Sequence, residues 1–272
     1  MPAKNKRRVP WYFISVVVLA VVFLVLFIWF IISKITLLNP DSELVQTLYS
    51  YIGTDRFDYC SGLPFYQDDI DKESLDESTK MCLAYKLIDS TKIFVDALEK
   101  TKKVQLCKFT NNKNFRVDED SEQCSVIKFD KKELESAYYA IYGSEIEHQD
   151  FNLSGSLVCY FDSEESRYVC GSAEVQNLQL GWTPTIYRVI QKAKKKNNKI
   201  YLYDYYVSIN KEKCFLDNEG NIENSECSDL IKKNLNLDEY FVSDYGQAYV
   251  HVFEKDNNGN YHWNSSSVIT EK

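Results

Sequence analysis

The chain has 272 residues with 40 acidic and 32 basic side chains, for a net charge of −8. A surplus of that sign is repelled by phosphate backbones, which excludes nucleic acid as a partner. Twenty tyrosines and 15 phenylalanines against 9 glycines and 5 prolines exclude a disordered stalk and point to a folded, sheet-containing domain.

Residues 1–10 form a basic tail carrying Lys4, Lys6, Arg7 and Arg8. The next run, Trp11 to Ser33, reads WYFISVVVLAVVFLVLFIWFIIS without a charge. As a helix it measures about 34 Å, against roughly 30 Å of bilayer hydrocarbon. It is longer than a signal-peptide core, and the bulky IISKITLLNP that follows offers no cleavage site. The expectation is an uncleaved transmembrane anchor over 11–33, with aromatic Trp11, Tyr12 and Trp29 near its ends. The basic flank then holds the N-terminus in the cytoplasm and places everything after Lys34 outside the cell membrane. The membrane is thus an expected partner through residues 11–33.

Residues 34–128 read as a mainly helical, membrane-proximal region with one hairpin. Asn39-Pro40 marks a helix start, and Leu44, Leu48, Tyr51 and Ile52 share one helical face. An acidic loop (Gln67 to Asp71) follows. The run LDESTKMCLAYKLIDSTKIFVDALEK predicts one long helix or two short ones up to Lys100. The arms KVQLCKF and QCSVIKF flank a polar loop as a hairpin.

Residues 129–272 read as an α+β domain with a curved antiparallel sheet. In FDKKELESAYYAIYG, Asp130 caps a helix, Glu133 reaches back and Phe129 staples onto Leu134. Leu134, Ala137, Tyr138 and Ile141 form its buried face, and Gly143 ends it. Strand signals follow. LVCYF and RYVCG flank a polar turn, and TIYRVIQKAK and KIYLYDYYVSI flank Asn197-Asn198. The latter arm puts Tyr201, Tyr203, Tyr205, Val207 and Ile209 on one face. A short helix is expected around Asp229 to Leu235, and a last hairpin through YVHVFEK, DNNG and NYHWNSS.

The eight cysteines all follow the apolar run, and an even count there indicates disulfides, with 105 possible connectivities. Local symmetry narrows these. A register centred between Glu164 and Glu165 sets Cys159 against Cys170, Tyr160 against Val169, Phe161 against Tyr168 and Asp162 against Arg167. Cys214 and Cys227 bracket a turn at Gly220-Asn221, and Cys107 and Cys124 close the earlier hairpin. Cys60 and Cys82 remain as the fourth pair. Spacings of the C-x-x-C or C-x-x-H kind are absent, which argues against zinc and thiol redox chemistry.

The closing pattern YVHVFEKDNNGNYHWNSSSVI resembles the last hairpin of cone-shaped NTF2-like and cystatin-like domains, a likeness covering 130–272. The chain as a whole is similar to uncharacterised single-pass bacterial proteins with a basic tail, an anchor and a cysteine-stapled ectodomain. The likeness implies a helix wrapped by a curved sheet and assigns no functional residue, because such domains include enzymes, binders and scaffolds alike.

Chemistry has few carriers. His251 and His262 lie on the arms of the closing hairpin, where any odd-sum register puts them on one face as a metal or acid–base pair. The plainer reading is two packed or solvated sheet histidines, and a third metal ligand is not identifiable. The ladder Tyr201, Tyr203 and Tyr205 lines either a cavity in the mouth of the sheet or ordinary packing. DNEGNIENSE and DNNGN depart from calcium loops and read as turns. The acidic run Asp118 to Glu122 reads as a solvated loop, with loose calcium binding on an outer surface as the alternative. Asn152 and Asn264 open glycosylation sequons, which count only in a eukaryotic host. No catalytic residue, metal site or cofactor is assigned. The expected function is an extracytoplasmic, non-catalytic binding module, with an envelope protein as its possible partner. The alternatives are an accessory subunit of a membrane or envelope complex, and an NTF2-like cavity enzyme.

Overall fold

The computed structural model describes residues 11–32, 35–53, 65–66, 69–101, 106–110, 113–117, 123–154, 157–172, 185–216, 220–233 and 239–270. The chain opens with α1 (Trp11–Ile32), β1 (Ile35–Leu38), α2 (Glu43–Tyr51), β2 (Ile70–Asp71) and α3 (Glu77–Tyr85). Then come β3 (Phe94–Glu99), β4 (Leu106–Lys108), β5 (Asn114–Arg116), β6 (Gln123–Asp130) and α4 (Lys131–Tyr142). A run of strands follows: β7 (Phe151–Ser154), β8 (Leu157–Asp162), β9 (Arg167–Ser172), β10 (Thr185–Lys196), β11 (Lys199–Asn210), β12 (Lys213–Phe215) and β13 (Glu223–Asn224). The end is α5 (Ser225–Ile231), α6 (Glu239–Tyr245), β14 (Gln247–Lys255) and β15 (Tyr261–Val268).

The expected α+β class with a transmembrane helix is corrected in two respects. Among the described residues strand outweighs helix, 44% against 29%. Helix α1 carries exposed Val, Leu and Phe side chains, but its side chains are described only from Ser15 to Val25 and at Phe27. Among the described residues no helix is long and apolar enough to cross a membrane, which corrects the expected anchor over 11–33. The tail 1–10 lies outside the described residues.

Two larger sheets enclose α2, α3 and α4. The larger runs β1-β10-β11-β14-β15-β2, with β12 and β13 continuing from β11, and the smaller runs β3-β6-β9-β8-β7. All pairings are antiparallel. Helix α4 touches β15 of one sheet and β6 of the other, α3 touches α4 and β7, and α2 touches β15. One core cluster spans this sandwich, from Phe129, Phe151 and Tyr168 through Leu134 and Ile141 to Tyr206, Tyr249 and Trp263. Strands from both sides of the boundary read at 128 pair in both sheets: β1 with β10, β2 with β15, and β6 with β9.

Several local expectations change for identifiable reasons. Helix α2 begins at Glu43 behind Ser42, because Asn39 spends its side chain on a turn, accepting from the Asp41 N–H at 3.1 Å. Asp76 caps α3 by accepting from the Thr79 N–H at 2.9 Å, and the helix stops at Tyr85. The FVDALE segment beyond it is strand β3 rather than helix, paired with β6 from Phe94↔Lys128 to Glu99↔Gln123. Asp130 stands at the start of α4 without a side-chain cap bond, while Gly143 ends that helix in the left-handed region, at φ 68°.

Three disulfides are described, 107–124, 159–170 and 214–227. Cys159 faces Cys170 in the expected register, with Tyr160↔Val169, Phe161↔Tyr168 and Asp162↔Arg167 beside it. Cys107 and Cys124 are not on the arms of one hairpin: β4 pairs with β5, and the bridge ties β4 to β6. The 214–227 bridge joins β12 to the first turn of α5. Cys82 is disulfide-bonded, and its expected partner Cys60 lies outside the described residues, as does the acidic run 118–122.

Candidate functional site

Strand β11 alternates, and the alternation separates two chemistries. Ile200, Leu202, Asp204, Tyr206 and Ser208 are buried, while Tyr201, Tyr203 and Tyr205 are half-buried on the opposite face. The tyrosine ladder therefore does not line the interior. Tyr205 packs with Val207, Phe241 and Val242 of the small cluster under α6. Tyr203 lies beneath two lysines, with Lys192 Nζ at 4.7 Å and Lys194 Nζ at 5.4 Å from its ring.

The interior face holds what the ladder drew attention away from, the buried carboxylate of Asp204. Tyr66 Oη donates to Asp204 Oδ2 at 2.6 Å, and His251 Nε2 lies 3.0 Å from Oδ1. His251 Nδ1 is 2.6 Å from Ser266 Oγ, which accepts from Trp263 Nε1 at 2.9 Å. On the other flank Arg188 donates to Tyr66 Oη at 3.2 Å and to the carbonyls of Ile52 and Gly53. A carboxylate only accepts, so His251 donates through Nε2 to Asp204, and Nδ1 of the neutral ring accepts from the Ser266 hydroxyl. Two donor chains thus converge on one carboxylate, Arg188 to Tyr66 and Trp263 through Ser266 to His251. Burial and the neighbouring carboxylate hold the Tyr66 hydroxyl well above the ordinary phenol pKa, against the lowering pull of Arg188.

Serine, histidine and aspartate in hydrogen-bond sequence suggest nucleophilic catalysis, but this set is sealed. Ser266, His251 and Asp204 are 0–1% exposed, and the Ser266 oxygen is occupied by Trp263 on one side and His251 on the other. Tyr66 stacks on Tyr206 at 4.4 Å and meets His251 edge-on at 5.3 Å, closing the space above the ring. The arrangement ties the segment after α2 to β11, β14 and β15, and it satisfies a charge that burial would otherwise penalise.

The two hairpin histidines do not act as a pair. A bulge at Asn264, between Val252↔Ser265 and Phe253↔Trp263, puts His262 out of step with His251. His262 sits instead under the last turn of α4, with Nδ1 3.0 Å from the Ala140 carbonyl and Nε2 3.2 Å from Asp256 Oδ2. His148, stacked on Phe161, lies between Glu135 Oε1 at 2.9 Å and Tyr168 Oη at 2.8 Å. His148, through its bond to Glu135, holds that carboxyl below the usual range. Among the described residues no three His, Cys, Asp or Glu side chains converge as a metal site.

Open surface takes two forms. Shallow grooves of about 560 and 390 Å³ flank Ser136 and Tyr139 of α4, the first reaching His148 and Glu145, the second Tyr51 and His262. Neither is lined by Tyr201, Tyr203, Tyr205 or His251. The second form is β3, an edge of the smaller sheet, where Phe94 is 60% and Val95 79% exposed. The sequence signal for that edge, the β-branched and aromatic IFV after Lys92, was submerged in a longer apparent helical run. Compared with known protein families, characterised proteins and solved structures, the chain matches none.

Proposed function

We propose that the chain is an extracytoplasmic, non-catalytic interaction module that takes up an extended segment of an envelope protein along β3. The observation that carries this reading is the exposed apolar edge at Phe94 and Val95. Natural proteins usually blunt such an edge with charge, proline or cover, because its free backbone groups template another strand. Disulfides support an oxidising compartment outside the cytoplasm. The sealing of Asp204, His251 and Ser266 supports a binding role over an NTF2-like cavity enzyme, and service as an accessory subunit of an envelope complex is one form of the same role.

The test is site-specific photo-cross-linking in cells, with the reactive group at Val95 and, separately, at exposed Lys108. The expected result is one recurrent protein adduct from Val95, lost when Phe94→Lys and Asp96→Pro are introduced. A protein that stays free of adducts at Val95 defeats the reading.

A further inference from the structure

The outer face of the larger sheet carries a second surface. The bulge at Gln191, between Ile190↔Asp204 and Lys192↔Tyr203, shifts the alternation of β10. On one side of it Tyr187 and Val189 join Tyr205 and Val207 under α6. On the other side Lys192, Lys194 and Lys196 come onto that same face, beside Tyr203, Tyr201 and Lys199. Strand β1 extends this face, with Leu37 opposite Lys194 and Ile35 opposite Lys196. Leu37 is 71% and Ile35 39% exposed. Among the described residues only Lys199 of these lysines has a carboxylate partner, Glu254 at 3.4 Å. In a chain of net charge −8, four lysines, two tyrosines and two exposed aliphatic side chains thus share one sheet face.

We propose that this face docks on an anionic bilayer surface, with the lysines against lipid phosphates and Leu37 and Ile35 at the acyl boundary. Charge complementarity selects the occupant. Lys192, Lys194 and Lys196 have no acidic partner among the described residues, the tyrosines are amphipathic side chains suited to a headgroup layer, and the aliphatic pair has no use for a fully hydrated polyanion. A lysine at such a surface is worth about fivefold in binding at low salt, so reversing three should cost well over tenfold.

The experiment is sedimentation of the full chain with vesicles of phosphatidylcholine, alone or mixed equally with phosphatidylglycerol. Adsorption through the apolar α1 and its basic flank is common to the parent and every variant and cancels between them. The expected result is tighter binding to the anionic vesicles, falling with salt, and lost more than tenfold in Lys192→Glu/Lys194→Glu/Lys196→Glu. The corresponding triple glutamine variant, which adds no repulsion, should lose part of it and keep its melting temperature. The triple Lys108→Glu/Lys132→Glu/Lys233→Glu, of equal net charge, should bind as the parent does. Equal binding to both vesicles, or an equal loss in the control triple, overturns the proposal. So does full binding by Leu37→Asp, or displacement of the bound chain by soluble polyphosphate at low concentration.

Discussion

Replacing Asp204 with asparagine tests the converging donor chains with almost no change of volume. The carboxylate accepts from Tyr66 on one oxygen and His251 on the other. Asparagine keeps one acceptor and turns the second into an NH2 facing a donor. If the amide keeps its oxygen toward His251, the Tyr66 proton is left without an acceptor in a site where Tyr66 is 1% exposed. A buried donor left unmade costs about 1–3 kcal/mol, and the lost bonds are charge-assisted, at the upper end of that range. Tyr66→Phe removes the same bond from the other side, at a cost of about 1.5–3 kcal/mol. In the double variant the orphaned proton no longer exists, so the combined loss should fall short of the sum by about 1 kcal/mol or more. Urea unfolding followed by tryptophan fluorescence gives all four corners of the cycle. Strict additivity, or an Asp204→Asn protein within about 0.5 kcal/mol of the parent, would show that the two donors do not meet on this carboxylate.

Two further outcomes rest on the closing hairpin. Gly143→Ala places a Cβ 2.7 Å from the His262 ring in a left-handed residue, and the backbone alone costs about 1–2 kcal/mol. A urea midpoint equal to the parent's contradicts the close packing of α4 on His262. Asp256 is drawn down from 3.8 to about 2, desolvation opposing and the bonds to His262 and the Asn260 amide prevailing. A depressed carboxyl stabilises the fold fully above its unfolded pKa and loses that effect as pH falls. Asp256→Asn should therefore flatten the acid limb of stability between about pH 4 and pH 2, read by melting temperature across that range. An unchanged limb refutes the ion pair.

Legibility followed locality. The 159–170 register came from two arms separated by a four-residue loop, and the β10–β11 hairpin from alternation around Asn197-Asn198, because both ends of each contact sit in one short window. The failures involve partners far apart. Strand β3 was read as helix because apolar spacing in KIFVDALEK fits either period, and only β6, beyond the next hairpin, decides between them. Cys107 was paired correctly but placed on the wrong kind of hairpin, since β5 lies inside the loop that symmetry treated as polar. Asp204 went unnoticed between Tyr203 and Tyr205: on the sequence it is one acid among many, and its significance comes from Tyr66, Ser266 and Trp263. His251 and His262 suggest a reagent pair on the sequence, whereas the bulge at Asn264, which no residue type announces, decides that they work apart.

The short strands β1 and β2 have a consequence for the order in which the molecule assembles. Both edges of the larger sheet are supplied by the first quarter of the chain, yet their partners β10 and β15 lie more than half the chain later. A nascent polypeptide must hold Ile35–Leu38 unpaired until β10 has emerged, and Ile70–Asp71 until β15 has. Such long loop closures make folding slow and leave early segments open to wrong pairing. Local elements stapled by 159–170 and 214–227 form first on this account, and the pairing of β2 with β15 comes last.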